Sequence, residues 1–245
     1  MQSIGLKKIV FSFSPVFIVL LHIPFVFAIN KPVYIDQPML NSPKPYPVPT
    51  SSVYDKLNLD KLGLSRDAFE YAVKGFSKLR ESGKLNNNSI ITIIDFSRSS
   101  SLKRFFILDL DRLELICNTY VSHGANSGME YARHFSNAPE SNQSSLGFYK
   151  TGATYTGKNG YSLKLFGLEK GFNDNAERRA IVLHAAPYVN EGLAHTRGYI
   201  GRSQGCPAVP LQLHKKIIDE IKAGSCLFIY STDDNYLHHS PVING

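Results

Sequence analysis

Ala180-Ile181-Val182-Leu183-His184-Ala185 and Gly201-Arg202-Ser203-Gln204-Gly205-Cys206-Pro207 are the two stretches around which the rest of the chain is arranged. The first is apolar and β-branched and runs into a histidine, the pattern of a buried strand that holds an imidazole at a sheet edge. The second sets a cysteine in a tight Ser-x-Gly-Cys turn, 22 residues after that histidine. A thiol is a strong nucleophile only as the thiolate, and an imidazole within reach favours that change. The pair therefore offers Cys206 as nucleophile and His184 as base. Gly205 permits a sharp backbone turn, which can aim the Gly205 and Cys206 amides at one point as an oxyanion hole. An isolated cysteine is more often a small buried hydrophobe. The Gly/Ser/Pro-rich setting of Cys206 and the strand-end setting of His184 favour chemistry here.

Outward from these stretches the pattern is mainly β with a few helices, an α+β class. Apolar runs over 90–96, 104–110 and 113–122 read as strands, with Asp111-Arg112 as a hairpin turn between the last two. His123 opens an irregular stretch, dense in Gly, Ser, Asn and Tyr, reaching about Gly160, with short strands over 147–150 and 161–167. Residues 171–179 read as polar turn, and 190–201 as a loop carrying His195 and Arg197. Two helices are expected. One spans 64–83, with Ser65 as N-cap and Ala68, Phe69, Ala72, Val73, Phe76 and Leu79 on one face. Gly75 within it should cost about 1 kcal/mol relative to alanine. The other spans 210–223, with Pro210 at its first position, and its N-terminus would add to thiolate stabilisation at Cys206, as would Arg202. The strands do not alternate regularly with helices, which disfavours a doubly wound sheet.

Lys7 and Lys8 precede an uncharged stretch from Ile9 to Phe27, and Val26-Phe27-Ala28 offers a cleavage site. Residues 1–28 therefore read as a secretory signal peptide, with an uncleaved membrane anchor as the alternative. Residues 29–52 hold six prolines and read as a linker. The expected compartment is outside the cytoplasm, in a periplasm or at a cell surface. The formal net charge is +7, with the basic residues scattered rather than gathered among aromatics. This suits work near an anionic polymer better than nucleic-acid binding. Three cysteines leave an odd thiol after export, and one economical pairing joins Cys117 to Cys226 and frees Cys206.

The order strand–His184, loop, Ser203-x-Gly205-Cys206, helix, strand resembles the catalytic domain of the murein L,D-transpeptidases, the YkuD-like family, as a divergent branch. The resemblance takes in Tyr120-Val121-Ser122-His123-Gly124 and Ser145-Leu146-Gly147-Phe148-Tyr149 and spans about 90–232. Departures are Gln204 where many members carry His, Pro207 and Ala208 in place of an apolar residue and then Arg or Asn, Ala185 after the histidine, and an unfamiliar stretch around 171–177. The resemblance implies a β-sandwich or barrel catalytic domain over 89–232, an N-terminal helical appendage over 53–88 and a C-terminal tail over 233–245. It implies Cys206 as nucleophile, His184 as base and then acid, and the Ala185 carbonyl as the group that orients the imidazole. Gly205 and Cys206 amides would hold the oxyanion, and Ser203 would support the turn. His123, Arg202 and Tyr161 are candidate substrate contacts. The implied reaction is acyl transfer on peptidoglycan stem peptides: a thioester forms with release of D-alanine, and an amine resolves it. Neither metal nor organic cofactor is needed, and acylation by carbapenems is expected.

Three alternatives stay open. Water as acceptor, or attack on existing cross-links, would make an L,D-carboxypeptidase or endopeptidase; another cysteine wall hydrolase is a close rival. A zinc site from His184, His195, Cys206 and His214 lacks any short paired ligand spacing. A non-catalytic wall-binding module would have no need of both His184 and Cys206.

Overall fold

Two runs, Ile90-Ile91-Thr92-Ile93-Ile94-Asp95 and Cys226-Leu227-Phe228-Ile229-Tyr230, are buried at every position. Strands so apolar throughout belong at the middle of a sheet covered on both faces, and that is where the computed structural model of this chain, which describes residues 50–245, puts them. The expected signal segment and all but the last three residues of the expected linker lie outside the described residues; those three begin a helix. The elements in chain order are α1 (Thr50–Lys56), α2 (Arg66–Glu81), β1 (Ile90–Asp95), β2 (Phe105–Asp109), β3 (Glu114–Thr119), a 3₁₀ turn (Ala125–Ser127), β4 (Gly147–Gly157), β5 (Gly160–Gly167), β6 (Val182–Ala185), α3 (Glu191–Arg197), β7 (Ala208–Val209), α4 (His214–Ile221), β8 (Cys226–Tyr230), α5 (Asp234–His239) and α6 (Pro241–Asn244).

The strands form one sheet in the order β3-β2-β1-β8-β4-β5-β6-β7. β1 and β8 run parallel, as do β6 and β7; the other neighbours are antiparallel. Just beyond β3 the chain crosses to the far edge. Ser122 bridges Ala208 of β7, with its N–H 2.9 Å from the Ala208 carbonyl oxygen, and Gly124 bridges Ser203. The sheet thus comes close to a closed barrel, which removes both open edges.

Helix α2 lays Ala68, Phe69, Ala72, Phe76 and Leu79 on the sheet, within the same apolar core as β1 and β8. Ser65 caps it, accepting from the Ala68 N–H at 3.3 Å. Gly75 sits directly over the Phe148 ring, where a methyl group would overlap the aromatic carbons. Phe148 in turn stacks on Phe228 with centroids 4.1 Å apart. The glycine that weakens the helix as a helix is what lets it reach the sheet.

Several expectations are corrected. Residues 233–245 are two helices rather than a tail. Asp233 and Ser240 cap them, and Val242 and Ile243 join the core. The buried Glu169 carboxylate binds them to the barrel, accepting from the Phe148 N–H at 2.6 Å, the Tyr236 hydroxyl at 2.9 Å and the Ser240 hydroxyl. The second long helix starts at His214, not Pro210, so its N-terminus stands eight residues along the chain from Cys206. Cys117 and Cys226 lie on β3 and β8 with β2 and β1 between them. Three strand spacings of about 4.8 Å put them well outside the reach of a disulfide, and all three cysteines are free thiols. Strand β4 is eleven residues long where only four were expected, because a register shift between Thr151 and Thr154 absorbs Gly152.

Candidate active site

Parallel pairing of β6 with β7 sets His184 opposite Ala208, which brings the segment carrying Cys206 alongside the end of β6. The His184 ring is almost wholly buried. Its Nδ1 stands 2.9 Å from the carbonyl oxygen of Ala185. A carbonyl only accepts, so Nδ1 carries the proton and Nε2 is left with its lone pair. Burial also pushes the imidazole pKa below its usual value. His184 is therefore a neutral ring, fixed in one tautomer, with a basic nitrogen.

Cys206 is partly buried. Its sulfur takes the Val182 N–H at 3.5 Å and faces the Ala180 carbonyl at 3.7 Å. Ala180 adopts a left-handed backbone (φ +53°) that is uncommon for a residue with a side chain. Burial pushes the Cys206 thiol pKa up, while the Val182 N–H and the Arg179 guanidinium act against that.

The turn ahead of the sulfur is built by Ser203. Its Oγ accepts from the Gly205 N–H at 3.0 Å and lies 2.6 Å from the Cys206 carbonyl oxygen. Gly205 has φ +117°, and a side chain there would meet the Gln143 carbonyl oxygen at 2.7 Å. The Gly205 amide is thus engaged with Ser203 rather than turned toward the position expected for an oxyanion.

Beside Cys206 opens a cleft of about 610 Å³ whose walls include Asn142, Tyr155, Lys158, Arg178, Arg179 and Gln204. The three candidate substrate contacts fall elsewhere. His123 is fully enclosed; its Nδ1 accepts from the buried Arg104 guanidinium at 2.7 Å, so Nε2 carries the proton and donates to the Gly128 carbonyl at 3.1 Å. Burial and Arg104 hold its pKa down to about 3. Arg202 reaches back to the Ala125 and Gly128 carbonyls. Tyr161 donates to Asp219 on α4 at 2.8 Å. His184, His195, Cys206 and His214 do not assemble, and among the described residues no group of three or more His, Cys, Asp or Glu side chains is placed to hold a metal ion.

Sequence reasoning passed over Arg179, Tyr155 and Lys158. The signals available were an arginine directly ahead of the run that ends at His184, and Asn159-Gly160, a hairpin turn that carries Tyr155 and Lys158 to the cleft.

The profile of the L,D-transpeptidase catalytic domain family matches residues 60–230. The chain belongs to this family. Solved structures similar to this L,D-transpeptidase-family chain include an L,D-transpeptidase from Mycobacterium smegmatis, at 12% identity and TM-score 0.36, covering 58% of this chain and 59% of that one. Another is the helical cell shape determining protein Pgp2 from Campylobacter jejuni, as a K307A mutant, at 12% identity and TM-score 0.41, covering 66% and 57%. A third is an L,D-transpeptidase from Xylanimonas cellulosilytica, at 14% and 0.33, covering 58% and 60%. The L,D-transpeptidase-family chain thus spans 57–60% of the length of these three. No curated protein matches the sequence.

Proposed function

We propose that the chain is an exported, peptidoglycan-modifying cysteine acyltransferase, an L,D-transpeptidase that uses Cys206 as nucleophile and His184 as base. The observation that carries this reading is the 2.9 Å bond from His184 Nδ1 to the Ala185 carbonyl, which leaves a lone pair on a buried ring one strand away from a cysteine in an open cleft. Family membership supports the substrate class.

At rest the sulfur faces Val182 and Ala180. In the reaction His184 takes the thiol proton. The thiolate adds to the carbonyl that joins the L-centre of a diamino acid to D-alanine. The oxyanion forms against the Cys206 N–H. Collapse breaks the C–N bond; the imidazolium gives its proton to the departing D-alanine amine, and a thioester remains. An amine of a second stem then attacks, His184 removes its proton, and the thiolate leaves, which regenerates the thiol–imidazole pair. Among the described residues no helix is long and apolar enough to cross a membrane; the expected export signal lies outside them.

Incubation with disaccharide tetrapeptides, read by mass spectrometry, tests the proposal. Released D-alanine with dimer formation is expected, abolished in Cys206→Ala. Release with water alone as acceptor would make the enzyme a carboxypeptidase. The absence of both D-alanine release and a carbapenem adduct on Cys206 would overturn the reading.

A further inference from the structure

Arg179 ends the polar turn ahead of β6, and its guanidinium is spent almost wholly on one segment. Nη1 donates to the Ser136 carbonyl at 2.7 Å and to Ser145 Oγ at 3.2 Å. Nη2 donates to the Gln143 carbonyl at 2.6 Å and to Ser141 Oγ at 3.2 Å. One fork thus gathers four points of the 136–145 stretch, which supplies a wall of the cleft through Asn142. Behind it Ser145 Oγ and the Tyr149 hydroxyl lie 2.7 Å apart in the core. On its other side Nη2 lies 3.2 Å from where a side chain on Gly205 would begin, and both Arg179 and Cys206 line the cleft.

All four partners are neutral oxygens. Among the described residues no carboxylate lies within ion-pair distance of Arg179. A half-buried cation with no anion is costly; of the two acidic groups that face it, Tyr149 is held neutral by burial, and the other is the sulfur of Cys206.

We propose that Arg179 is the positioning residue for the nucleophile: its charge is the counter-ion of the Cys206 thiolate, and its fork holds the 136–145 wall and the Gly205 turn in register. The proposal rests on Cys206 as the nucleophile, and deepens that reading by naming what stabilises its ionised form. The thiol's surroundings agree with it: burial raises its pKa, and the Val182 N–H and then Arg179 oppose that rise. The other ionisable groups around the sulfur and its arginine are Tyr188 from the loop after β6, Tyr149 beside Arg179, Tyr155 and Lys158 from the β4–β5 hairpin, and Glu140 and Arg178 at the cleft.

The test is the pH profile of Cys206 alkylation by iodoacetamide, resolved from Cys117 and Cys226 by peptide mass mapping. It reads the thiol directly and needs no peptidoglycan. Arg179→Gln should move the midpoint up by about one unit, which slows alkylation near neutral pH about tenfold. Arg179→Lys, with the charge kept and the fork lost, should leave the midpoint within about 0.3 unit while amide exchange over 136–145 quickens. A folded Arg179→Gln protein with the wild-type midpoint overturns the proposal. Should that variant not fold, Arg179→Lys decides: an unchanged midpoint with quickened exchange supports the proposal, and a rise of about a unit, or unchanged exchange, overturns it. The arginine dependence in a protein that releases no D-alanine sinks the proposed reaction and leaves Arg179 standing; an active enzyme without that dependence sinks Arg179 alone.

Discussion

Ser203 Oγ lies 2.6 Å from the Cys206 carbonyl oxygen and 3.0 Å from the Gly205 nitrogen, so one hydroxyl donates to one and accepts from the other across the turn that presents the sulfur. Both backbone groups lose their partner in Ser203→Ala. Leaving buried polar groups unpaired costs about 1–3 kcal/mol, and a displaced nucleophile costs about a hundredfold in kcat/KM. Urea unfolding and D-alanine release, measured on the same preparation, check both. Unchanged stability in the variant would show that the turn holds without this hydroxyl.

The enclosed His123 makes stability depend on acidity. In the unfolded chain it takes up a proton below about pH 6.5; in the folded protein its pKa is held down to about 3. Between those values the unfolded state binds the extra proton, so this contribution is complete above about pH 6.5 and is lost on acidification, at about 1.4 kcal/mol per pH unit. Glu169, whose carboxyl is pushed up by burial, acts in the opposite sense. The comparison is therefore between His123→Gln and the parent: the variant should show the flatter fall in denaturant midpoint from pH 6.5 to 4.

Gly75→Ala separates helix propensity from packing by sign. An isolated helix would gain about 1 kcal/mol. Here the new methyl group meets the Phe148 ring, and overpacking of that kind costs about 1–3 kcal/mol. A lower urea midpoint is expected. A higher one would mean that α2 can lift from the sheet freely.

Thiol chemistry follows from the strand order. With β2 and β1 between Cys117 and Cys226, the purified protein should titrate three thiols in denaturant, and reductant should leave its melting temperature unchanged. A mass two hydrogen atoms lighter than the reduced chain, with those two cysteines linked, would contradict the sheet order.

The strongest sequence signals were local ones. The runs that became β1, β2 and β8 are almost wholly apolar because each is buried along its length, and such runs read clearly without knowledge of their neighbours. The Ser65 cap and the apolar stripe of α2 were equally plain. What stayed hidden depended on partners distant in sequence. Gly152, Gly157 and Gly160 look like loop residues until β5 supplies the register that makes β4 a strand. His123 looks like a loop histidine until Arg104, nineteen residues earlier, is seen to enclose it. Arg179 sat in a stretch read as turn, and its four partners lie 34 to 43 residues away. Helix α3 was missed although Asn190, which accepts from the Leu193 N–H at 2.9 Å, and Gly198, with φ +73°, are standard ends for a helix.

The barrel is fastened on both sides of Cys206: at Ala208, by the Ser122 N–H to the Ala208 carbonyl at 2.9 Å and the Ala208 N–H to Ser122 Oγ at 3.3 Å, and at Ser203, by the Ser203 N–H to the His123 carbonyl at 2.9 Å and the Ala125 N–H to the Ser203 carbonyl at 2.7 Å. The bonds that close the ring are thus the same ones that hold the mouth of the cleft, through the stretch that carries Cys206. Loosening at either place is felt at the other.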